Sequence, residues 1–258
     1  MQPTLRRLDE LAAHLARRDD TIAVLGLGSA GAQRARLDEH SDLDFFVIVE
    51  DGARSRYVDR LDWLEAPCPV LFSFAHERNG RKALYEDGVF AEYAVFTAAE
   101  LPRIPFCAAK VVWRRADAPP GLAQSEAPMP RTPYDTVDFH LNEALTNLYA
   151  GLHRELRGEH LSASRLIQSH AVDRVISLLR LASGDAPYRD PFDVTRRVER
   201  AYPASALPLA AMVPGYAHNV AAARATFEWL SHRYPVHPGI GAAIRALLAR
   251  SEESVPDR

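Results

Sequence analysis

The stretch of residues 26–50, GLGSAGAQRARLDEHSDLDFFVIVE, constrains what this chain can fold into more than any other part. An apolar run leads into Gly28-Ser29, a polar segment follows, and a second apolar run starts at Leu43. Short apolar runs bounded by glycine and polar residues are typical of buried strands. We therefore predict a strand over residues 21–27, a turn with a short helix near residues 30–35, and a strand over residues 43–50.

Two carboxylates stand at the start of the second of these strands. In an extended strand, residues two apart point to the same face, so Asp42 and Asp44 project together. Mg²⁺ prefers such hard oxygen ligands and takes one or two carboxylates together with substrate phosphates and water. The backbone N–H groups of a helix that starts after Gly28-Ser29 would bind a phosphate. The stretch therefore predicts a magnesium-dependent phosphoryl- or nucleotidyl-transfer site.

At these residues the sequence resembles the nucleotidyltransferase superfamily (DNA polymerase beta-like) that includes the aminoglycoside and lincosamide nucleotidyltransferases. The family pattern is Gly-Ser, a spacer, and Ser-Asp-x-Asp followed by hydrophobic residues; here it is Gly28-Ser29 and residues 41–44. The family places a third carboxylate on a later strand, and Glu92 in VFAEYAVFT fits that place. The spacer is longer than in the commonest members, which enlarges the loop around residues 36–40.

The resemblance implies the cofactors and the roles of the site residues. The cofactors are Mg²⁺ and a nucleoside triphosphate, with ATP expected. Glu92 either completes the metal site or takes the proton from the acceptor hydroxyl, and both alternatives stay open. The nucleotide-contacting residues are Gly28, Ser29 and Ser41, and the metal ligands and catalytic residues are Asp42, Asp44 and Glu92.

A change of pattern divides the chain. Residues 117–133, DAPPGLAQSEAPMPRTP, are rich in proline and small residues without a period, as in a domain linker. Residues 1–116 read as an α+β nucleotidyltransferase domain with a mixed sheet and flanking helices. Residues 134–258 read as an all-α helical bundle that binds the substrate.

Further elements complete the first domain. The segment HERNGRK, after a third strand, reads as a polar loop from which Arg78, Arg81 and Lys82 reach the phosphates; a plain solvated loop is the alternative. His76 at the exit of that strand is either a base or a structural or surface residue. The predicted helices cover residues 5–15 and 54–65, and the further strands cover residues 70–74, 89–97 and 110–114, the last at an edge.

The helical domain holds candidate acceptor-binding residues. Glu143 and Asn147 lie one turn apart on one face of its first helix. The resemblance implies that this helix lines the acceptor side, so Glu143 would bind a cationic substrate or assist deprotonation; a solvated helix face is the alternative. The predicted helices cover residues 139–156 ending at Gly158, residues 166–178 continuing to Gly184, residues 190–202 starting at Asp190-Pro191, and residues 217–232 and 239–250.

Composition limits the partners and the compartment. The net charge of −3 and the pI of about 6.4 provide no basic field for nucleic acid. No apolar run has the length of a signal-peptide core or a membrane span. Cys68 and Cys107 lack metal-ligand spacing and read as thiols in a reducing compartment. We expect a cytoplasmic monomer or homodimer that binds neither nucleic acid nor a membrane.

Three functions are compatible with these features of the sequence. The leading hypothesis is Mg²⁺-dependent transfer of a nucleoside monophosphate from a nucleoside triphosphate to a hydroxyl of an aminoglycoside- or lincosamide-like small molecule, with release of pyrophosphate. The second is a nucleotidyltransferase that acts on or binds a protein partner, as antitoxins do; the size of the helical domain favours a small acceptor instead. The third is a non-catalytic relative of the fold, which is disfavoured because three clustered carboxylates without a metal repel one another.

Overall fold

The structure is a computed structural model that describes residues 2–129, 134–184, 190 and 192–253. The chain divides after Met129 into two compact units, a position that falls inside the predicted linker segment. Pro191, the last part of the predicted linker (residues 130–133) and the tail from residue 254 lie outside the described residues.

The first unit is built on a six-stranded sheet of order β3-β4-β5-β2-β1-β6. Strands β2 and β5 pair in parallel, and the other neighbouring strands pair antiparallel. The strands are β1 (Thr21–Gly26), β2 (Leu43–Val49), β3 (Val70–Glu77), β4 (Gly80–Tyr85), β5 (Phe90–Thr97) and β6 (Lys110–Arg114). The predicted edge position of residues 110–114 is confirmed.

One face of this sheet is buried under three helices. These are α1 (Pro3–Leu15), α2 (Arg54–Val58) and α3 (Asp62–Glu65). Alternate residues of the central strands, such as Phe45 and Tyr93, pack with Trp63 and with Leu11 of α1. Burial of each large apolar side chain contributes roughly 1.5–3 kcal/mol. This layer therefore fixes which residues of β2 and β5 face the other way.

The opposite face is covered at one end only. Ile48 and Phe96, late in their strands, pack with Phe106 from the segment between β5 and β6 and with Leu122 from the segment after β6. The Ser125 hydroxyl donates to the Ile104 carbonyl at 2.6 Å. The first part of the segment predicted as a linker therefore packs on the sheet unit, and its composition did not reveal this. The beginnings of β2 and β5 stay accessible on this face.

Three local predictions for this unit are wrong. The segment HERNGRK is not a loop, because the chain turns at Arg78-Asn79 and continues as β4; Arg81 and Lys82 are strand residues. The α-helix near residues 30–35 is a turn followed by a single 3-10 turn, Arg34–Arg36. Here Gly31 crosses so close to the carbonyl of Gly26 that a Cβ would lie 2.4 Å from that oxygen. The helix expected over residues 54–65 is interrupted between α2 and α3.

The second unit is helical throughout its described residues. Gly158, at φ 77°, ends the first helix as predicted. A π-helical segment, Arg165–Ala171, joins two helices, and Gly151 of the first helix packs directly against its Ile167. The helices are α4 (Val137–Leu156), α5 (His160–Ser164), α6 (Val172–Ser183), α7 (Val198–Ala201), α8 (Leu209–Met212), α9 (Asn219–Arg233) and α10 (Pro238–Glu253).

The helix predicted from Asp190 to about residue 202 is reduced to α7 among the described residues. Asp190 accepts hydrogen bonds from the N–H groups of Phe192 and Asp193, and Arg197 has a positive φ of 62° directly before α7. These local turns replace the helical hydrogen bonds. The predicted fold class is confirmed: a mixed-sheet α+β unit is followed by an α-helical unit. Over the described ranges, no helix combines the length and the apolar character that crossing a membrane requires.

Candidate active site

A row of charged side chains crosses the accessible end of the sheet. Asp44 and Glu92 are direct partners in the parallel pairing of β2 with β5. Lys82 is the direct partner of Glu92 in the antiparallel pairing of β4 with β5. Paired residues on neighbouring strands project from the same face about 5 Å apart. We call Asp44, Glu92 and Lys82 the charged row.

Glu92 is held by two nitrogen-bearing side chains. Lys82 Nζ lies 2.9 Å from its Oε2, and His76 Nε2 lies 3.2 Å from its Oε1. The Nδ1 atom of His76 is buried without a hydrogen-bond partner within the described structure. The Glu92 side chain keeps 37% of its surface exposed, so a small molecule has access to it. His76 and Lys82 thus belong to the site through Glu92, a relation that the sequence reading missed because it had no β4.

The carboxylates act together on Lys82. The hydrogen bond and charge of Glu92, followed by the charges of Asp44 and Asp42, raise the pKa of the Lys82 ammonium above its ordinary value. Lys82 therefore stays protonated throughout the neutral range. The negative charges of Glu92, Asp44 and Asp42 thus all act on the Lys82 ammonium.

The Gly28 turn lies beside Asp44. Gly28 has φ 49°, which favours glycine, and a Cβ built on it would be 3.5 Å from Asp44 Oδ2. The Leu27 N–H donates to the Asp44 carbonyl at 2.8 Å and ties the turn to β2. Because the predicted helix is absent, its N-terminus cannot provide the phosphate site. Gly28 and Ser29 instead present turn backbone next to the carboxylate.

Ser41 and Asp42 precede β2. The Ser41 hydroxyl accepts from the Asp38 N–H at 2.9 Å and donates to Asp38 Oδ1 at 3.0 Å, so it stabilises the preceding loop. Asp42 is exposed at the mouth of the strand, as its position in the sequence predicts. Nucleotide contacts of Ser41 stay a prediction.

A magnesium ion would find two kinds of carboxylate in this part of the fold, those of Asp42 and Asp44 and that of Glu92. Within the described ranges, no group of three His, Cys, Asp or Glu side chains is arranged to hold a metal by itself. Both oxygens of Glu92 contact Lys82 and His76. Asp42 and Asp44 supply the one or two carboxylates that Mg²⁺ takes when phosphates and water complete its shell. The residues therefore fit a magnesium ion that is held jointly with a triphosphate.

In the second unit, Glu143 lines a groove of about 290 Å³ along α4. Asn147 is not among its lining residues, and its amide donates to the Glu143 carbonyl at 2.7 Å. The rings of Tyr134 and Phe139, 5.6 Å apart, lie beside the carboxylates in this groove, a combination that suits a cation. The other lining residues are Thr136, Asp138, Asn142 and Thr146. Acceptor contacts of Glu143 and Asn147 stay predictions.

No family model and no curated protein matches the sequence. Among solved structures, an aminoglycoside 6-adenyltransferase from Bacillus subtilis is similar over 98% of this chain and 100% of its own, with 14% identity and a TM-score of 0.35. A nucleotidyltransferase-like protein from Exiguobacterium sibiricum is similar over 98% of this chain and 81% of its own, with 12% identity and a TM-score of 0.34. At these TM-scores, function has to be argued from the residues of the site.

Proposed function

We propose that this protein transfers a nucleoside monophosphate from a nucleoside triphosphate, expected to be ATP, to a hydroxyl group of a small molecule and releases pyrophosphate. The observation that carries the proposal is the charged row next to the Gly28 turn. It brings Asp44, Glu92 and Lys82 together from three strands, although Asp44 and Glu92 are far apart in the sequence. Phosphoryl transfer depends on positioning and on electrostatic stabilisation, which carboxylates that would hold a metal and backbone N–H donors can supply.

The triphosphate is assigned to the side of Asp44 that faces Gly28 and Ser29. Backbone N–H groups of a turn bind phosphate oxygens without a helix. Asp42 and Asp44 would hold Mg²⁺, which supplies neutralisation of phosphate charge when it is bound. The chain itself contributes a fixed position for the α-phosphorus, since the turn is tied to β2 by the hydrogen bond from Leu27.

Glu92 is assigned to the acceptor. Its carboxylate accepts the proton of the acceptor hydroxyl as that oxygen forms a bond to the α-phosphorus. The bond from the α-phosphorus to the bridging oxygen of the β-phosphate breaks, and pyrophosphate leaves with the electron pair. Lys82 and His76 orient Glu92 through the two contacts at its oxygens. They act as positioning residues.

A small-molecule acceptor, aminoglycoside- or lincosamide-like, fits the chain better than a nucleic acid does. The net charge of −3 supplies no field for a polyanion. In the second unit, considered by itself, the groove lined by Asp138 and Glu143 suits a cationic group of a small molecule. We also propose that the protein is cytoplasmic and that it is a monomer or a homodimer.

The test is pyrophosphate release with Mg²⁺, each of the four nucleoside triphosphates, and a panel of aminoglycosides and lincosamides. We expect acceptor-dependent release that falls by at least about a thousandfold in the Asp42→Asn, Asp44→Asn variant, because removal of both carboxylates removes the metal position. Asp51→Asn is the matched control, an exposed aspartate beyond the other end of β2. Full activity of the double variant would overturn the mechanism.

A further inference from the structure

Three phenylalanines are exposed on the sheet face that carries the charged row. Phe72, Phe74 and Phe90 are 55%, 44% and 39% exposed, and we call them the aromatic shelf. Large aromatic side chains are normally buried, and a contiguous group of them on a surface is typical of a site that binds a ligand or a partner.

The pairing register makes the aromatic shelf continuous with the charged row. Phe74 is the direct partner of Lys82, so it extends the row by one strand. Leu84 is the direct partner of both Phe72 and Phe90, which places these two rings on the same face. The rings of Phe72 and Phe74 are 5.7 Å apart. The shelf therefore begins where the charged row ends.

The order of strands decides which part of a substrate meets the shelf. The Gly28 turn follows β1, on one side of Asp44, whereas β4 and β3 lie on the other side of Glu92. With the phosphates at the turn, the molecule that delivers a hydroxyl to Glu92 approaches over β4 and β3. That approach crosses Phe74 and the neighbouring rings.

We propose that the aromatic shelf is the acceptor subsite and that the acceptor is a hydroxylated compound with an apolar ring face, such as an aryl group or a sugar ring. This inference rests on the proposed function, since the direction of approach follows from the place of the phosphates. Phe72, Phe74 and Phe90 offer ring faces and no hydrogen-bonding groups, so they favour stacking against an apolar ring face of the acceptor.

The test uses the whole chain and two probes that share a glucopyranose ring with its hydroxyls at C2, C3, C4 and C6, 4-nitrophenyl β-D-glucopyranoside and D-glucose. Ligand-observed NMR is expected to show binding of the aryl glucoside and weaker or no binding of glucose. Phe74→Ser and Phe90→Ser are each expected to weaken aryl glucoside binding by at least about threefold, because a stacked ring is lost. Phe74→Tyr keeps the ring and is expected to retain binding.

Leu161→Ser is the matched control, since Leu161 is an apolar side chain of the second unit that is 63% exposed. Equal loss in this control, or equal binding of the two probes, would overturn the proposal. A change in sedimentation coefficient in the shelf variants would also overturn it, because a second copy of the chain would then cover the shelf. Binding of ATP with Mg²⁺, measured on the same samples, reports on the proposed function separately and is expected to be unchanged in the shelf variants.

Discussion

Lys82 connects the parts of the site at the level of single residues. It pairs with Glu92 and lies within the field of Asp44 and Asp42, so the carboxylates of two strands share one cation. A carboxylate on the sheet surface without a neighbouring cation would lack this favourable interaction. The ammonium offsets the repulsion among the three acids and keeps the pair with Glu92 in one geometry.

The pKa of Lys82 can be measured directly, because the chain has only two lysines, Lys82 and Lys110. We expect the pKa of Lys82 to lie above 10.5 and to fall in the Glu92→Gln variant, since Glu92 is the main cause of the rise. The measurement is a titration of the ¹³Cε resonances of labelled lysine, and Lys110→Arg assigns the two signals. An unchanged Lys82 titration in Glu92→Gln would contradict the ion pair.

The raised pKa of Lys82 also determines how the stability of the fold depends on pH. The pKa of Lys82 is higher in the folded chain than the ordinary value of 10.5. The protonated state of Lys82 that this ion pair requires is therefore fully present below about pH 10.5, and the contribution of Lys82 to stability is lost as the pH rises through its folded-state pKa.

Gly28 provides a second prediction for a single residue. Gly28→Ala forces a side chain onto a backbone at φ 49°, so we expect the turn to shift and the KM for the nucleoside triphosphate to rise about tenfold. Gly52→Ala is the control, because Gly52 has φ 79° and open space around it, away from the charged row. It imposes similar strain of about 1 kcal/mol without touching the site. Equal KM values in the two variants would contradict a phosphate role for the turn.

At the level of elements, sequence pattern predicted the core strands well. β1, β2, β5 and β6 alternate or run apolar, and their predicted bounds agree with the structure to within one residue at each end. Asp44 and Glu92 were therefore placed on the correct strands. β4 was missed because its polar start, Gly80 to Lys82, does not look like a strand, although Asn79-Gly80 is a common turn signal. Without β4, neither the ion pair of Lys82 nor the position of Phe74 could be predicted.

In the helical unit, the sequence predicts the long helices but not the π-helical segment. Apolar periodicity predicts the long helix α4, and helices close to α9 and α10 were also expected from the sequence. The π-helical segment was not expected, because it depends on how the chain packs against α4. Gly151 of α4 is the residue that permits this contact, since a Cβ there would lie 2.5 Å from Ile167 Cγ1.

Gly151→Ala therefore tests the packing of α4 against the π-helical segment. Although alanine favours a helix, we expect the free energy of unfolding to fall by about 1–3 kcal/mol because the methyl group overpacks the contact. The measurement is chemical denaturation followed by circular dichroism. In the Ile167→Ala background the same change is expected to cost much less, since its partner is gone. Equal costs in both backgrounds would contradict the proposed clash.

At the level of the whole molecule, the described residues of the first unit contain two buried apolar clusters, and those of the second unit contain one. Two of them lie on the two faces of the sheet, and the third fills the helical unit. The change from mixed to purely helical pattern in the sequence predicted this division. Its details were not predictable, because the proline-rich composition after β6 does not show that Leu122 is buried against the sheet.

The parallel pairing of β2 with β5 has a consequence for how the chain assembles. β1 and β2 are antiparallel neighbours along the chain, and β3, β4 and β5 form a second such series. Among the described strands, the β2–β5 pairing joins these two series within the sheet, and Asp44 contributes to it from one series and Glu92 from the other. Parallel pairing of distant segments is slow, because loop closure precedes the contacts that compensate for it. We therefore expect Asp44 and Glu92 to come together late in folding, when β2 and β5 pair.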